Sequence, residues 1–462
     1  MNDSPKSTMT LASLAALLIP AFVLADLIFT NHTLSLVALG AALVFIVICF
    51  RRLKRVATTL FAAALVFSII YAAQGADLAA FNLVASRSAY LPAMVIVLTL
   101  LRLSTLRSTM VSEAGQFAVR QPPNRRYAFL TTGAHILGIL FNIGGLILML
   151  EIAISGRISA NTPEHVAKIQ MRRISTAVMR GFATTMIWSP LGISLNLLLT
   201  LVPGVTWVEF VPVGLATTIG FMLLGWVFDA VQNPNPARGT IIPRGGRFRA
   251  FVGLVAVLAS INAIAALVEL VFDLPIRAAI LIVVPIFAFL WAIVAGKPEL
   301  PAHSSMAELG RQSLSRFPEV ANEICIMTCV GYLGLLIASL VPSELVSEFA
   351  RTAHLQNGFL AAALCSLVLT ASLVGINPFI TATILVTSVV DAGLQIHPIL
   401  LIISLQIGWS LTLILSPVTS TIAIISGIVG QSATTVGIKW NGLYSATILT
   451  IALAIFLGLI GP

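Results

Sequence analysis

Charge is what this chain most lacks. Only 9% of its 462 residues are Asp, Glu, Lys or Arg, where an ordinary soluble domain carries about a quarter. With 58% hydrophobic residues and a mean hydropathy of +1.03, the chain belongs in a bilayer. The net charge of +9 does not point to nucleic acid, because the basic residues sit in short clusters between apolar runs, where they set topology. Cysteine is scarce too: Cys49, Cys325, Cys329 and Cys365 fall inside apolar runs, and none has the spacing of a metal or redox motif. No Gly-x-x-x-x-Gly-Lys-Ser/Thr run occurs, so ATP does not drive the chain in cis. The 17 acidic residues and six histidines form no catalytic constellation at one depth, which argues against a membrane enzyme. Nor is there the alternation of an outer-membrane barrel. What is present is a series of apolar runs of roughly 18 to 30 residues, the length of helical spans.

Basic loops taken as cytoplasmic orient these runs. Residues 11–24 after Lys6 have the outline of a cleaved signal, but a single lysine is a weak start, and we read helix 1 at 10–29 running outward. Helix 2 (33–50) returns to Arg51, Arg52, Lys54 and Arg55, helix 3 (56–74) leaves, and helix 4 (85–103) returns. Arg102, Arg107, Arg120, Arg125 and Arg126 then mark a cytoplasmic stretch. The run 127–154 is followed by Arg157, Lys168, Arg172, Arg173 and Arg180, so a simple span would put five basic residues outside. As one helix it would be roughly 42 Å long for a core of about 30 Å; as a re-entrant hairpin turning at Asn142-Ile143-Gly144-Gly145 it removes the conflict. Helices 5 (175–202), 6 (208–230), 7 (250–272), 8 (277–295) and 9 (322–341) follow. A second hairpin at 357–390 turns at Gly375-Ile376-Asn377-Pro378, and helices 10 (398–430) and 11 (440–460) complete the chain. This places 23 of the 26 basic residues inside, leaving Arg87, Arg277 and Arg351 outside, and puts the N-terminus in the cytoplasm of a multi-pass bacterial inner-membrane protein.

An internal repeat supports the two hairpins. Ile187-Trp188-Ser189-Pro190-Leu191-Gly192 aligns with Ile414-Leu415-Ser416-Pro417-Val418-Thr419 at an offset of 227, since 414 minus 187 is 227. The tips Ile143-Gly144-Gly145 and Ile376-Asn377-Pro378 align at 233, since 376 minus 143 is 233. The fold class expected is therefore an all-α polytopic membrane protein with about 11 spans, two re-entrant hairpins and two inverted repeats. Its parts are scaffold helices at 1–84, a first repeat at 85–230, connecting scaffold at 231–321 and a second repeat at 322–462. A proline inside a membrane helix frees backbone carbonyls, which are tolerated only where protein or water satisfies them. The tips and breaks should therefore meet around a polar cavity. Its candidate substrate groups are Asn142, Gly144, Ser189, Pro190 and Asn196 in the first half, and Asn377, Pro378, Thr381, Ser416, Pro417 and Thr419 in the second. Helix amino ends and amides with no fixed carboxylate suit a small organic anion. Na⁺ as coupling ion would be held by carbonyls and hydroxyls around Asn142, Gly145 and Ser189, and around Gly375, Asn377, Ser416, Thr419 and Ser420. His135, in an apolar hairpin arm, is the candidate for proton coupling.

The stretch Gly375 to Gly430, with Gly375-Ile376-Asn377-Pro378-Phe379, Ile396-His397-Pro398, Ile407-Gly408, Leu415-Ser416-Pro417-Val418 and Ser426-Gly427-Ile428-Val429-Gly430, resembles the carboxyl-terminal hairpin and broken helix of the large membrane subunit of TRAP transporters. Those belong to the ion transporter superfamily, with divalent anion/sodium symporters as more distant members. The resemblance implies Na⁺-coupled elevator transport, a homodimer in membrane lipid, and a small membrane subunit and a binding protein as partners. The chain departs from that family in having Ser416-Pro417 where a double proline is usual, and in its sparse first tip. Two alternatives stand beside organic-anion uptake: a proton-driven exporter of an oxyanion or sulfonate on the same scaffold, and a non-transport membrane protein.

Overall fold

The computed structural model describes residues 4–75, 78–105, 108–156, 158, 162–233, 246–294 and 302–458. Every regular element among these residues is helical, as hydrocarbon demands of a chain whose backbone polar groups must pair within the segment. In order they are α1 (Ser4–Phe29), α2 (His32–Ile48), α3 (Arg55–Ala73), α4 (Leu78–Ser88), α5 (Tyr90–Thr105), α6 (Thr109–Val119), α7 (Pro123–Phe141), α8 (Ile143–Ser155), α9 (Glu164–Ala183), α10 (Thr185–Trp188) and α11 (Ile193–Leu201). There follow α12 (Trp207–Gln232), α13 (Phe248–Phe272), α14 (Ile276–Val294), α15 (Ala302–Arg316), α16 (Ala321–Ser339), α17 (Ser343–Thr352), α18 (Asn357–Leu373), α19 (Pro378–Asp391), α20 (Pro398–Leu415), α21 (Ser420–Val429) and α22 (Trp440–Gly458). Ten stretches are long and apolar enough to cross a bilayer, and the chain is a multi-pass membrane protein. The expected span α2 has 17 residues, a few ångströms short of a core of about 30 Å.

Burial sorts the helices. The apolar windows of α9–α11 and α20–α21 are 78% buried, against 17% for α3 and 28% for α12. The two interrupted helices thus form the centre together with α4–α5, whose apolar window is 83% buried, while α3 and α12 turn Leu65, Ile69, Ile219 and Leu223 outward, as a chain solvated by lipid can do without cost.

Both hairpins form, each by its own device. In the first, α7 ends at Asn142, whose φ of 54° and ψ of −137° reverse the chain in one residue. The returning α8 then runs so close to α7 that a Cβ on Gly145 would collide with the carbonyl oxygen of Leu137. In the second, the backbone N–H of Ile376 donates to Ala371 and that of Gly375 to Ser372, with Gly375 at φ 96°. This is a Schellman end to α18. Asn377 then caps α19 by accepting from the Phe379 N–H at 2.9 Å, and Pro378 takes the first helical position. Four successive residues thus close one helix and open the next.

Both long central helices break at Ser-Pro. Ser189 is extended at φ −75°, ψ 130° and Ser416 at φ −77°, ψ 115°, the conformation that a following proline imposes.

Four expectations need correction. Helix 5 begins at Glu164 rather than 175, so Arg172 and Arg173 join Arg180 on a helix and do not lie in a loop. Helix 4 is interrupted at Ala89 between α4 and α5. The loop after helix 9, expected outside, holds α17, with Leu345 and Phe349 exposed one turn apart and Glu344, Glu348 and Arg351 on the same short helix, the pattern of a helix lying in the interface. Arg102 is the last-turn residue of α5 and packs against protein. Arg107 and Arg157, used above for topology, lie outside the described residues, as do Arg238, Arg244 and Lys297, which are among the 23 basic residues counted as inside.

Candidate substrate and ion site

The register of the hairpin arms brings each tip level with its break. Along α7 and the first broken helix, the Thr131 hydroxyl donates to the Ala177 carbonyl at 3.2 Å and His135 Nδ1 lies 2.9 Å from Thr184 Oγ1. Gly138 packs on Phe182 and Thr185. The helices run in one direction, so four residues beyond Gly138 and Thr185 stand Asn142 and Ser189. The second half repeats this: Gly408 lies against the Cys365 carbonyl, Ser416 Oγ donates to the Ser372 carbonyl at 2.8 Å, and Gly375 faces Val418. The halves also meet crosswise, α8 packing on α21 and α11 on α19, and Ser410 Oγ donates to the Ala183 carbonyl at 2.9 Å, joining the two central helices.

In the first half the break is closed on itself. Met186, whose carbonyl Pro190 frees, accepts from Ser194 Oγ at 3.4 Å. The Trp188 carbonyl accepts from Trp207 Nε1 at 2.8 Å, and Ser189 from the Gly192 N–H at 2.8 Å. Asn196 Nδ2 donates to the carbonyls of Pro190 and Gly192, while its Oδ1 accepts from the Tyr90 hydroxyl at 3.0 Å. Ser189 Oγ accepts from the Leu191 N–H at 3.2 Å. Ser189, Ser194 and Asn196 are wholly buried. Beside them His135 is fully engaged: Nε2 accepts from Trp188 Nε1 at 2.9 Å, so Nδ1 carries the proton and donates to Thr184, whose hydroxyl donates to Gly181 at 2.7 Å.

The second half is open. Leu373, Val374, Gly375 and Ile376 at the tip, and Val418 and Ser420 at the break, are exposed, with Val374 at 77% and Val418 at 63%. Thr419 Oγ1 donates to the Ser416 carbonyl at 2.9 Å and Thr381 Oγ1 to that of Asn377 at 3.3 Å. Phe379 meets Trp409 edge-on at 4.4 Å between centroids, tying α19 to α20.

Of the candidate residues, the structure thus groups Asn377, Pro378, Thr381, Ser416, Pro417, Thr419 and Ser420 around one accessible tip and break. Asn142 is exposed, and its side chain makes no cap bond. Ser189, Pro190 and Asn196 are sequestered behind donors. Residues not anticipated are Tyr90, Trp207, Ser372 and above all Arg102: a Cβ placed on Gly144 would stand 3.1 Å from Arg102 Nη2 and 3.2 Å from Cζ, so the guanidinium lies across the first tip. The signal that could have flagged Arg102 is its position before the end of an apolar run; Tyr90 and Trp207 carry no local signal. Among the described residues no group of three His, Cys, Asp or Glu side chains could hold a metal ion.

No protein-family model matches the chain, and comparison with curated proteins finds no match. Solved structures do match in fold. The YdaH transporter of Alcanivorax borkumensis superposes with a TM-score of 0.52 at 14% identity, over 80% of this chain and 85% of that one. MtrF of Neisseria gonorrhoeae, from a class of antimetabolite efflux pumps, superposes with a TM-score of 0.55 at 14% identity, over 79% and 80%. The chain therefore has a fold found in membrane transporters. The specific likeness to TRAP transporters finds no counterpart among these matches.

Proposed function

We infer that the chain is a secondary active transporter that moves a small organic anion by an elevator motion of the two hairpins and broken helices, with Na⁺ as coupling ion. The observation that carries this reading is the pairing of like with like in two halves. Gly181 and Gly408 are 227 apart, since 408 minus 181 is 227, and each packs on a carbonyl of its own hairpin arm, Thr131 or Cys365. Ala183 and Ser410, again 227 apart by subtraction, bond directly to each other. Contact between matched positions is what a pseudo-twofold axis between repeats produces, and such an axis supports the inverted-repeat reading. At the accessible half the groups are amides, hydroxyls and freed carbonyls without a carboxylate, a set suited to a cation held next to an anionic substrate.

Export is the second reading, favoured by the fold shared with an efflux pump. His135 does not serve it as a proton carrier, because protonating Nε2 would displace the Trp188 donor; we read it as the residue that orients the break. Reconstitution in liposomes tests the proposal. Uptake of a carboxylate into vesicles, driven by an inward Na⁺ gradient and lost in Asn377→Ala, is the expected outcome. Accumulation only with an imposed proton gradient and in the opposite direction would replace it with export.

A further inference from the structure

The two halves are built alike but bonded differently, and the difference lies in what fills the breaks. Met186, Trp188, Ser189 and Pro190 correspond, at 227 residues' distance, to Leu413, Leu415, Ser416 and Pro417. All four first-half carbonyls accept a hydrogen bond. Of their second-half counterparts, only Ser416 accepts one from outside the helix ladder among the described residues; the Leu415 carbonyl is covered by Gly437, which leaves those of Leu413 and Pro417. The sequence explains why. Asn196, which caps Pro190, corresponds to Ala423, since 196 plus 227 is 423, and alanine has no donor to offer. A carbonyl already receiving an N–H has lost its best direction for a cation, whereas freed carbonyls at a broken helix are ready ligands.

At the first tip, moreover, a cation is already present. Arg102 lies across Gly144, level with the filled break, and is not part of any ion pair among the described residues. A guanidinium is charged at every relevant pH and forks onto carboxylates. Resting on the transport reading above, we propose that the first half-site holds no dissociable ion: Arg102 stands there as a tethered cation and anion-recognition residue, and only the second half-site recruits a cation from solution. The substrate's anionic group would then lie between Arg102 and the Asn377 side of the site.

The test uses the full chain in liposomes and in detergent, with Na⁺ chloride and a panel of mono- and dicarboxylates as probes. One dissociable ion predicts Na⁺ activation of uptake with a Hill coefficient of 1, and Na⁺-dependent thermal stabilisation that saturates as a single site. Ala423→Asn, which supplies the second break with the donor of the first, should raise the half-saturating Na⁺ concentration at least tenfold. Arg102→Gln should weaken carboxylate-induced stabilisation at least tenfold while leaving the Na⁺ response unchanged, and Arg102→Lys should recover part of it. Melting temperatures of the unliganded variants report whether each folds. A Hill coefficient of 2, or undiminished carboxylate binding in folded Arg102→Gln, overturns the inference and leaves the transport reading intact. Na⁺-independent uptake that still needs Arg102 overturns the coupling ion of that reading and upholds the tethered cation.

Discussion

Replacing Asn142 by glycine should make the protein more stable and less active, a combination that separates a site residue from a turn residue. Its backbone, at φ 54° and ψ −137°, occupies a region where a non-glycine residue costs about 1–3 kcal/mol, and glycine adopts it freely at the expense of roughly 0.5–1 kcal/mol of extra chain entropy on folding. The side chain caps nothing and is exposed, so its removal breaks no internal bond. The net change is a gain of about 0–2 kcal/mol, read as a melting temperature unchanged or raised by a few degrees. Against this, an amide that bonds an anionic substrate contributes about 1.5–3 kcal/mol, so half-saturation for the anion should rise roughly 10- to 150-fold. Thermal denaturation followed by tryptophan fluorescence and anion-uptake kinetics on the same preparation read the two effects. A stabilised Asn142→Gly protein with unaltered uptake would refute the reasoning, because the amide would then be a costly turn residue with no role in binding.

Gly145→Ala should have the opposite profile, since the new methyl meets the Leu137 carbonyl head-on; a loss of about 3 kcal/mol or more should appear as a large drop in melting temperature and yield. His135→Gln should lower stability by about 1–3 kcal/mol through the unpaired Trp188 and Thr184 donors and acceptors, with the pH profile of transport between 5 and 8 unchanged; a flattened profile would restore a proton-coupling role. Ser416→Ala removes the bond to Ser372 that pins the second tip to its break, at a cost of about 1 kcal/mol in a denaturation experiment.

Much of this fold is legible in the sequence because its signals are local. The Pro at each break, the paired glycines of the first tip and the cap-to-cap spelling of Gly375-Ile376-Asn377-Pro378 act within four residues, and charge sign exposes a run that cannot be a simple span. The site is less legible because its bonds are distant. Nothing near Asn196 announces Tyr90, 106 positions away, and nothing near Ser189-Pro190 announces the Trp207 indole that fills the adjoining carbonyl. Arg102 is the sharpest case. Counted as a loop charge it serves the topology argument, yet one turn of helix and an apolar neighbourhood are enough to carry the same residue onto a hairpin tip 42 positions further on, as 144 minus 102 gives. Short α17 escapes for another reason: Leu345, Val346, Phe349 and Ala350 recur at helical spacing, but ten residues are too few to span a bilayer, so a reading by span length passes over them.

The unequal bonding of the halves also bears on how the site opens. Asn196, Trp207, Tyr90 and His135 stitch the first break to α5, α7 and α12, so separating it from those helices means breaking several buried bonds at once. The second tip is held by the Ser416–Ser372 bond, its own caps and the Phe379–Trp409 contact, with Val374 and Ile376 left exposed. Local opening follows the region with fewer buried contacts and more solvent-exposed backbone, which places access to substrate at the second hairpin while the first stays closed within the same moving unit. Hydrogen exchange measures this directly: amides of 373–377 and 418–420 should exchange faster than those of 189 and 191–194, and a saturating anion with Na⁺ should slow the former set far more than the latter. Equal protection of the two tips would refute this asymmetry, and ligand-induced slowing confined to the first would mean that the gate lies in the half we read as closed.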